Sequence, residues 1–125
     1  YVTGIASPDC AFLAVTAWRD GVEEIAYGFM TMDGETSDLQ GGTRHVERDP
    51  HEGWVTRITI EGIDERGRTL LATGTRLSGI TINRHTFIDN NGLMAWTING
   101  QAGHGEDQDM WPVHDWADFR RSARV

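Results

Sequence analysis

Trp54-Val55-Thr56-Arg57-Ile58-Thr59-Ile60-Glu61-Gly62-Ile63-Asp64 decides the fold class. Ile58 and Ile60 fall on one side of an extended chain, and Arg57, Thr59 and Glu61 fall on the other. Period-two alternation of β-branched and charged residues is the mark of a strand with one buried and one wet face. Ile58 and Ile60 are therefore expected on the inner face. The turn Glu65-Arg66-Gly67-Arg68 follows, and Thr69 to Asn83 is a second, longer run of Leu, Thr and Ile interrupted by Gly74 and Gly79. Glycines inside a long strand suit bulges or a sharp coil, as a sheet needs when it closes on itself.

Outward from this centre the same grammar repeats. Tyr1 to Ala6 reads as a strand ended by Ser7-Pro8-Asp9, and Ala11 to Trp18 as a strand ended by Arg19-Asp20-Gly21. Val22 to Met32 follows, with Ile25, Tyr27 and Phe29 alternating onto one face, and Asp33-Gly34 closes it. Asp38 to Arg48 is a polar strand, solvent-facing or lining a wet cavity. Phe87 to Asp89 and Leu93 to Ile98 read as a hairpin around Asn90-Asn91-Gly92, and Asn99-Gly100 as a further turn. Asp-Gly and Asn-Gly pairs accept the positive φ of tight hairpins. His114 to Arg121 suits one short helix, capped by Asp115 with Trp116 and Phe119 on a shared face. The expected architecture is all-β: an antiparallel lipocalin-like barrel or strongly coiled sheet, with at most one or two short helices. Ile58, Ile60, Leu77, Ile80 and Phe87 read as ordinary core.

Composition bounds the function. The 125 residues make one domain, 1–125, enough to bury roughly two-thirds of the unfolded surface. No apolar run approaches the ~18 residues of a membrane span. The net charge is -8, and all 11 basic residues are Arg. Such a surface disfavours nucleic acid and anionic membranes, which need a basic footprint. The lone Cys10 forms no internal disulfide and is consistent with a reducing, cytoplasmic setting. The five histidines show no zinc spacing, and Glu106-Asp107-Gln108-Asp109 lacks the alternation of a calcium loop, so neither a metal nor a cofactor is expected. No Ser-centred elbow or phosphate loop is present.

The most distinctive stretch is Gly103-His104-Gly105-Glu106-Asp107-Gln108-Asp109-Met110-Trp111-Pro112. Clustered carboxylates repel one another, so one of Glu106, Asp107 and Asp109 is a candidate general acid, with His104 as its partner. The competing reading makes the acids a solvated connecting turn. A fold-back after Asn99-Gly100 would bring Trp111 near Trp96, with Trp116, to plug one end of the barrel. At least one of Glu106 and Asp107 should point inward, paired with Arg if structural and unpaired beside an apolar wall if catalytic. Trp96, Trp111, Tyr27 and Phe29 are the candidate ligand contacts.

Trp96-Thr97-Ile98-Asn99-Gly100 together with Gly103 to Trp111 resembles the closing motif of a lipocalin-like family. That family is similar to the C-terminal halves of the AttH and hydroxyneurosporene synthase (carotenoid 1,2-hydratase) group. The turn Asp64 to Arg68 and the hairpin Gly28 to Gly34 fit the same pattern, so the resemblance covers roughly residues 25 to 112. It implies a calycin-like barrel, the C-terminal half of a larger protein with a possible N-terminal partner domain, and a small apolar, terpenoid- or steroid-like ligand. It fixes no reaction and transfers no catalytic residue. Two functions stay open: a binding or accessory domain for an apolar molecule, and a cofactor-free hydratase, isomerase or cyclase acting on an isoprenoid-like substrate. A third is a structural half-domain that docks through its exposed aromatics.

Overall fold

In the computed structural model, which describes residues 1–123, eight antiparallel strands close into a barrel in sequence order. They are β1 (Val2–Ser7), β2 (Cys10–Arg19), β3 (Val22–Met32), β4 (Glu35–Arg48), β5 (Val55–Asp64), β6 (Thr69–Asn83), β7 (Phe87–Ile98) and β8 (Gln101–Pro112). One helix, α1 (Val113–Ala123), follows β8 directly. It begins two residues before Asp115, which sits in its first turn and does not cap it. Three hairpins turn on pairs with positive φ: Asp20-Gly21 (51° and 79°), Asp33-Gly34 (53° and 75°) and Asn99-Gly100 (44° and 84°). Both central residues left-handed is the turn whose twist matches that of the strands it joins.

Asn90-Asn91-Gly92 makes no turn. It lies within β7, paired to β6 on one side and β8 on the other. Ladder bonds on both edges outweigh the turn preference of these residues, and the chain reverses instead at Arg84 to Thr86, where Arg84 N donates to Phe87 O.

The core fills the lower half of the barrel. Met30, Ile58, Ile60, Met94 and Ile98 are wholly buried, together with Phe12, Leu70 and Trp96. The Phe12 and Trp96 rings meet edge to face at 5.2 Å. Gly74 does not mark a bulge; a Cβ there would come within 2.8 Å of the Trp96 ring. Leu77 and Ile80 are not core: they are 56% and 63% exposed. The β5–β6 ladder ends at Arg57↔Thr75, so β6 beyond Thr75 has one free edge.

Bulges reset the alternation. Val15 pairs with Tyr27 but Thr16 with Ile25, which leaves Ala26 as the extra residue on β3. Ile25 therefore faces the core, while Tyr27 and Phe29 turn outward and are 64% and 41% exposed. The expected single face of Ile25, Tyr27 and Phe29 is thereby split.

The core-side end is closed by Asp64. Its carboxylate accepts from Ser37 Oγ, from Arg68 Nε at 2.7 Å, and from the backbone N–H groups of Arg66 and Arg68. Burial disfavours its charge, but these donors outweigh burial and hold its pKa below the usual carboxylate range. Among the described residues, no helix is long and apolar enough to cross a membrane.

Candidate functional site

The upper half of the barrel is built from charge. The face of β4 that carries Val46 also carries Arg44 and Arg48, so the polar strand lines the interior. Arg44 is 6% exposed. Its Nη1 donates to both oxygens of Glu23 on β3 at 2.9 Å, and its Nη2 to Asp107 Oδ1 on β8 at 2.8 Å. Asp109, two residues along the same face of β8, binds Arg48 through both oxygens, at 2.7 and 3.1 Å. Trp111 Nε1 adds a third bond to Asp109 at 3.0 Å. A buried ion network survives only when each charge has partners like these.

The two aspartates titrate in opposite directions. Burial raises the Asp107 pKa to about 6; Arg44 opposes the shift and neighbouring Asp109 adds to it. For Asp109, burial is outweighed by the bonds from Arg48, the charge of Arg44 and the bond from Trp111, and its pKa is lowered. Arg44 is held above its usual range, because Asp107, Glu23 and Asp109 outweigh the cost of its burial.

The expected cluster is thus divided. Glu106, Asp107, Asp109 and His104 lie in β8 and not in a connecting turn. Asp107 and Asp109 face in. Glu106 lies on the opposite face, where it accepts from the Tyr1 hydroxyl at 2.9 Å, and His104 is exposed. His104 and Glu106 therefore share no interior site with Asp107. Trp96 and Trp111 are also separated. Trp96 pairs with Gly103 and Trp111 with Ile88, which puts Trp111 eight residues further along β8, or about 27 Å at ~3.4 Å per residue. Trp96 belongs to the core, and its Nε1 has no partner among the described residues. Trp111 packs with Trp116 at 5.5 Å and Phe119 at 5.1 Å. Arg48 lies over Trp111 at 5.1 Å, and Arg120 binds Glu52 at 2.8 Å. By these contacts α1 reaches from β8 to the β4–β5 loop and covers this mouth.

One cleft reaches the network. β1 has six residues, whereas its neighbours β2 and β8 have ten and twelve. Above Val2 the wall has no strand between β2 and β8. The gap is a cleft of ≈ 430 Å³ walled by Tyr1, Val15, Trp18, Tyr27, Met110 and Trp111, with Glu23, Arg44 and Asp109 also lining it. Of the expected ligand contacts, Tyr27 and Trp111 line it and Trp96 and Phe29 do not. Phe29 borders a shallower outer groove with Leu13, Val15 and Tyr27. Among the described residues, no group of three or more His, Cys, Asp or Glu is placed to hold a metal ion.

Sequence reading missed Glu23, Arg44, Arg48 and Trp18. The signal for the two arginines was available: Arg44, Val46 and Arg48 share one side of a strand, and Val46 marks that side as the inner one. Glu23 and Trp18 carry no such mark. No protein-family model, curated protein or solved structure matches the chain.

Proposed function

We propose that this domain binds a small, largely apolar molecule from the side, in the cleft left by the short β1. The observation that carries the reading is the cleft itself, an aromatic and aliphatic wall around a fixed polar floor. Ligand sites are commonly concave and mostly apolar, with a few placed polar groups that set orientation. A terpenoid- or steroid-like body would lie against Trp18, Tyr27, Met110 and Trp111. Its hydroxyl or carbonyl would reach Glu23, Arg44 and Asp109. The ligand class agrees with the resemblance to the AttH and hydroxyneurosporene synthase group, as does an N-terminal partner domain seated on the outer Leu13–Tyr27–Phe29 groove.

The test is tryptophan fluorescence with farnesol and retinol as probes. Quenching that saturates in the native chain, and weakens at least tenfold in both Trp18→Ala and Trp111→Ala, supports the cleft. Absence of saturable binding to either probe ends the reading.

A second reading, a hydratase or isomerase, has one observation in its favour: the Asp107 pKa of about 6 suits proton transfer near neutrality. Asp107 is nevertheless bonded to Arg44 and does not line the cleft, whereas a catalytic acid must reach its substrate. Binding is the stronger reading. Turnover of an isoprenoid alkene that Asp107→Asn abolishes, with probe binding retained, would reverse that order.

A further inference from the structure

Arg76 is a half-buried cation with no carboxylate in contact among the described residues. Among the described residues, Arg44, Arg48, Arg66, Arg68, Arg84, Arg120 and Arg121 each have a carboxylate within 4.0 Å. Arg19 and Arg57 have none but stand exposed to water. Among the described residues, Arg76 has no carboxylate at that distance and its side chain makes no hydrogen bond, yet it is half-buried. Burial pulls its pKa down from the usual arginine range, with Asp107 opposing. A desolvated charge without a partner is costly, and such a group marks a place where a ligand's charge would be welcome.

The surroundings are shaped to hold the guanidinium. Its central carbon lies 4.8 Å from the centre of the Trp54 ring. Below it is a notch formed by Gly79 and Gly92, which pair across β6 and β7. A Cβ on Gly79 would stand 2.3 Å from Nη2 and 2.5 Å from Asn91 O, and one on Gly92 would stand 3.8 Å from Nη1. Asn90 follows two residues along β7, on the same face and about 7 Å away. It is 3% exposed; its Oδ1 accepts from Thr81, but its Nδ2 donor has no acceptor among the described residues. Two sets of unused donors thus lie on the same face of paired strands. The free edge of β6, where Gly79 and Thr81 are exposed, borders these residues, and Asn90 Nδ2 lies sealed beneath it.

We propose that Arg76, Trp54 and Asn90 form a binding site for a small organic monocarboxylate. The guanidinium edge offers paired N–H donors matched to the two carboxylate oxygens, and Trp54 fixes its position. Asn90 Nδ2 supplies a further donor. Asp107 and Asp109 pair with Gly92 and Asn90 in the next ladder, so a dianion such as phosphate meets more repulsion than a monoanion. This site stands on β6 and β7 and adjoins the lateral cleft at Asp109, but Arg76, Trp54 and Asn90 do not line that cleft.

Benzoate is the probe, with inorganic phosphate for comparison, titrated calorimetrically into the native chain, Arg76→Gln and Arg76→Lys. Benzoate should bind the native chain and shift the Arg76 Nε and Asn90 Nδ2 resonances in ¹⁵N spectra. Affinity should fall at least tenfold in Arg76→Gln and less in Arg76→Lys, and phosphate should bind more weakly than benzoate. Farnesol binding at the cleft should be unchanged in Arg76→Gln, which separates the two sites. Absence of benzoate binding, equal affinity in Arg76→Gln, a preference for phosphate, or shifts confined to other residues would each overturn the proposal. The native-chain resonances decide the matter even if a variant fails to fold.

Discussion

Arg44 on β4 donates to Asp107 on β8 at 2.8 Å, straight across the barrel between strands that are not neighbours in the sheet. The pair ties opposite walls together, and Glu23 on β3 shares the same guanidinium. Removing the cation strands two buried anions. Arg44→Met is therefore expected to cost about 3–5 kcal/mol in urea unfolding. Adding Asp107→Asn to that variant should recover part of the loss, because one stranded charge is then neutral. A loss from Arg44→Met within ~0.5 kcal/mol would show that the network carries no stability.

Asp107 also sets a pH dependence. Its folded pKa of about 6 lies above the ordinary aspartate value of about 3.9. Between these values the folded chain binds more protons than the unfolded one, so the contribution of Asp107 falls as pH rises from about 4 to about 6. Asp64 and Asp109 have lowered pKa values and act with the opposite sign. Their stabilisation is present above the ordinary carboxylate range and is lost as pH falls from that range through their lowered folded values. Denaturant midpoints recorded against pH should show Asp107→Asn removing the decline between about pH 4 and 6 while the acid limb below it remains.

The interior register has a simple check. Ile60 is wholly buried, and Leu71, on the adjoining strand, is 53% exposed. Ile60→Ala should cost about 2–5 kcal/mol. Leu71→Ala should stay within ~0.5 kcal/mol by the same measurement.

The seam between β1 and β8 depends on close backbone approach. A Cβ on Gly105 would sit 1.9 Å from Thr3 O, a main-chain atom with no rotamer to escape into. Gly105→Ala should lower stability by about 1–3 kcal/mol. A thermal melt matching the native one would mean that the seam has slack.

The all-β antiparallel class and the hairpins at Asp20-Gly21, Asp33-Gly34 and Asn99-Gly100 were legible because alternation and turn chemistry are local, whereas β8, whose acids read as a connecting turn, was not. Ile58 and Ile60 were legible because β5 keeps its alternation across that stretch. Tyr27 and Phe29 were not, because the bulge at Ala26 flips their side and no residue type announces it. Asn91-Gly92 carried a turn signal that pairing on both edges overrode. The carboxylates of β8 were visible as a cluster, but their division required the strand assignment. With it, Asp107 and Asp109 fall inside and His104 and Glu106 outside. The unpaired state of Arg76 could not be read from the chain, since it depends on what three separate strands fail to place beside it.

The short first strand bears on how the molecule forms. Seven of the eight ladders join consecutive strands through local turns, and each can zip soon after its turn closes. The eighth brings Tyr1 to Glu106, 105 residues apart. Closing so long a loop costs chain entropy before it returns any contact. Substitutions in the seam are therefore expected to hasten unfolding more than they slow refolding, as low-φ positions do. With that seam closing last, Arg44 and Asp107 should meet only then, so that the cost of drying the pair falls at the end of folding.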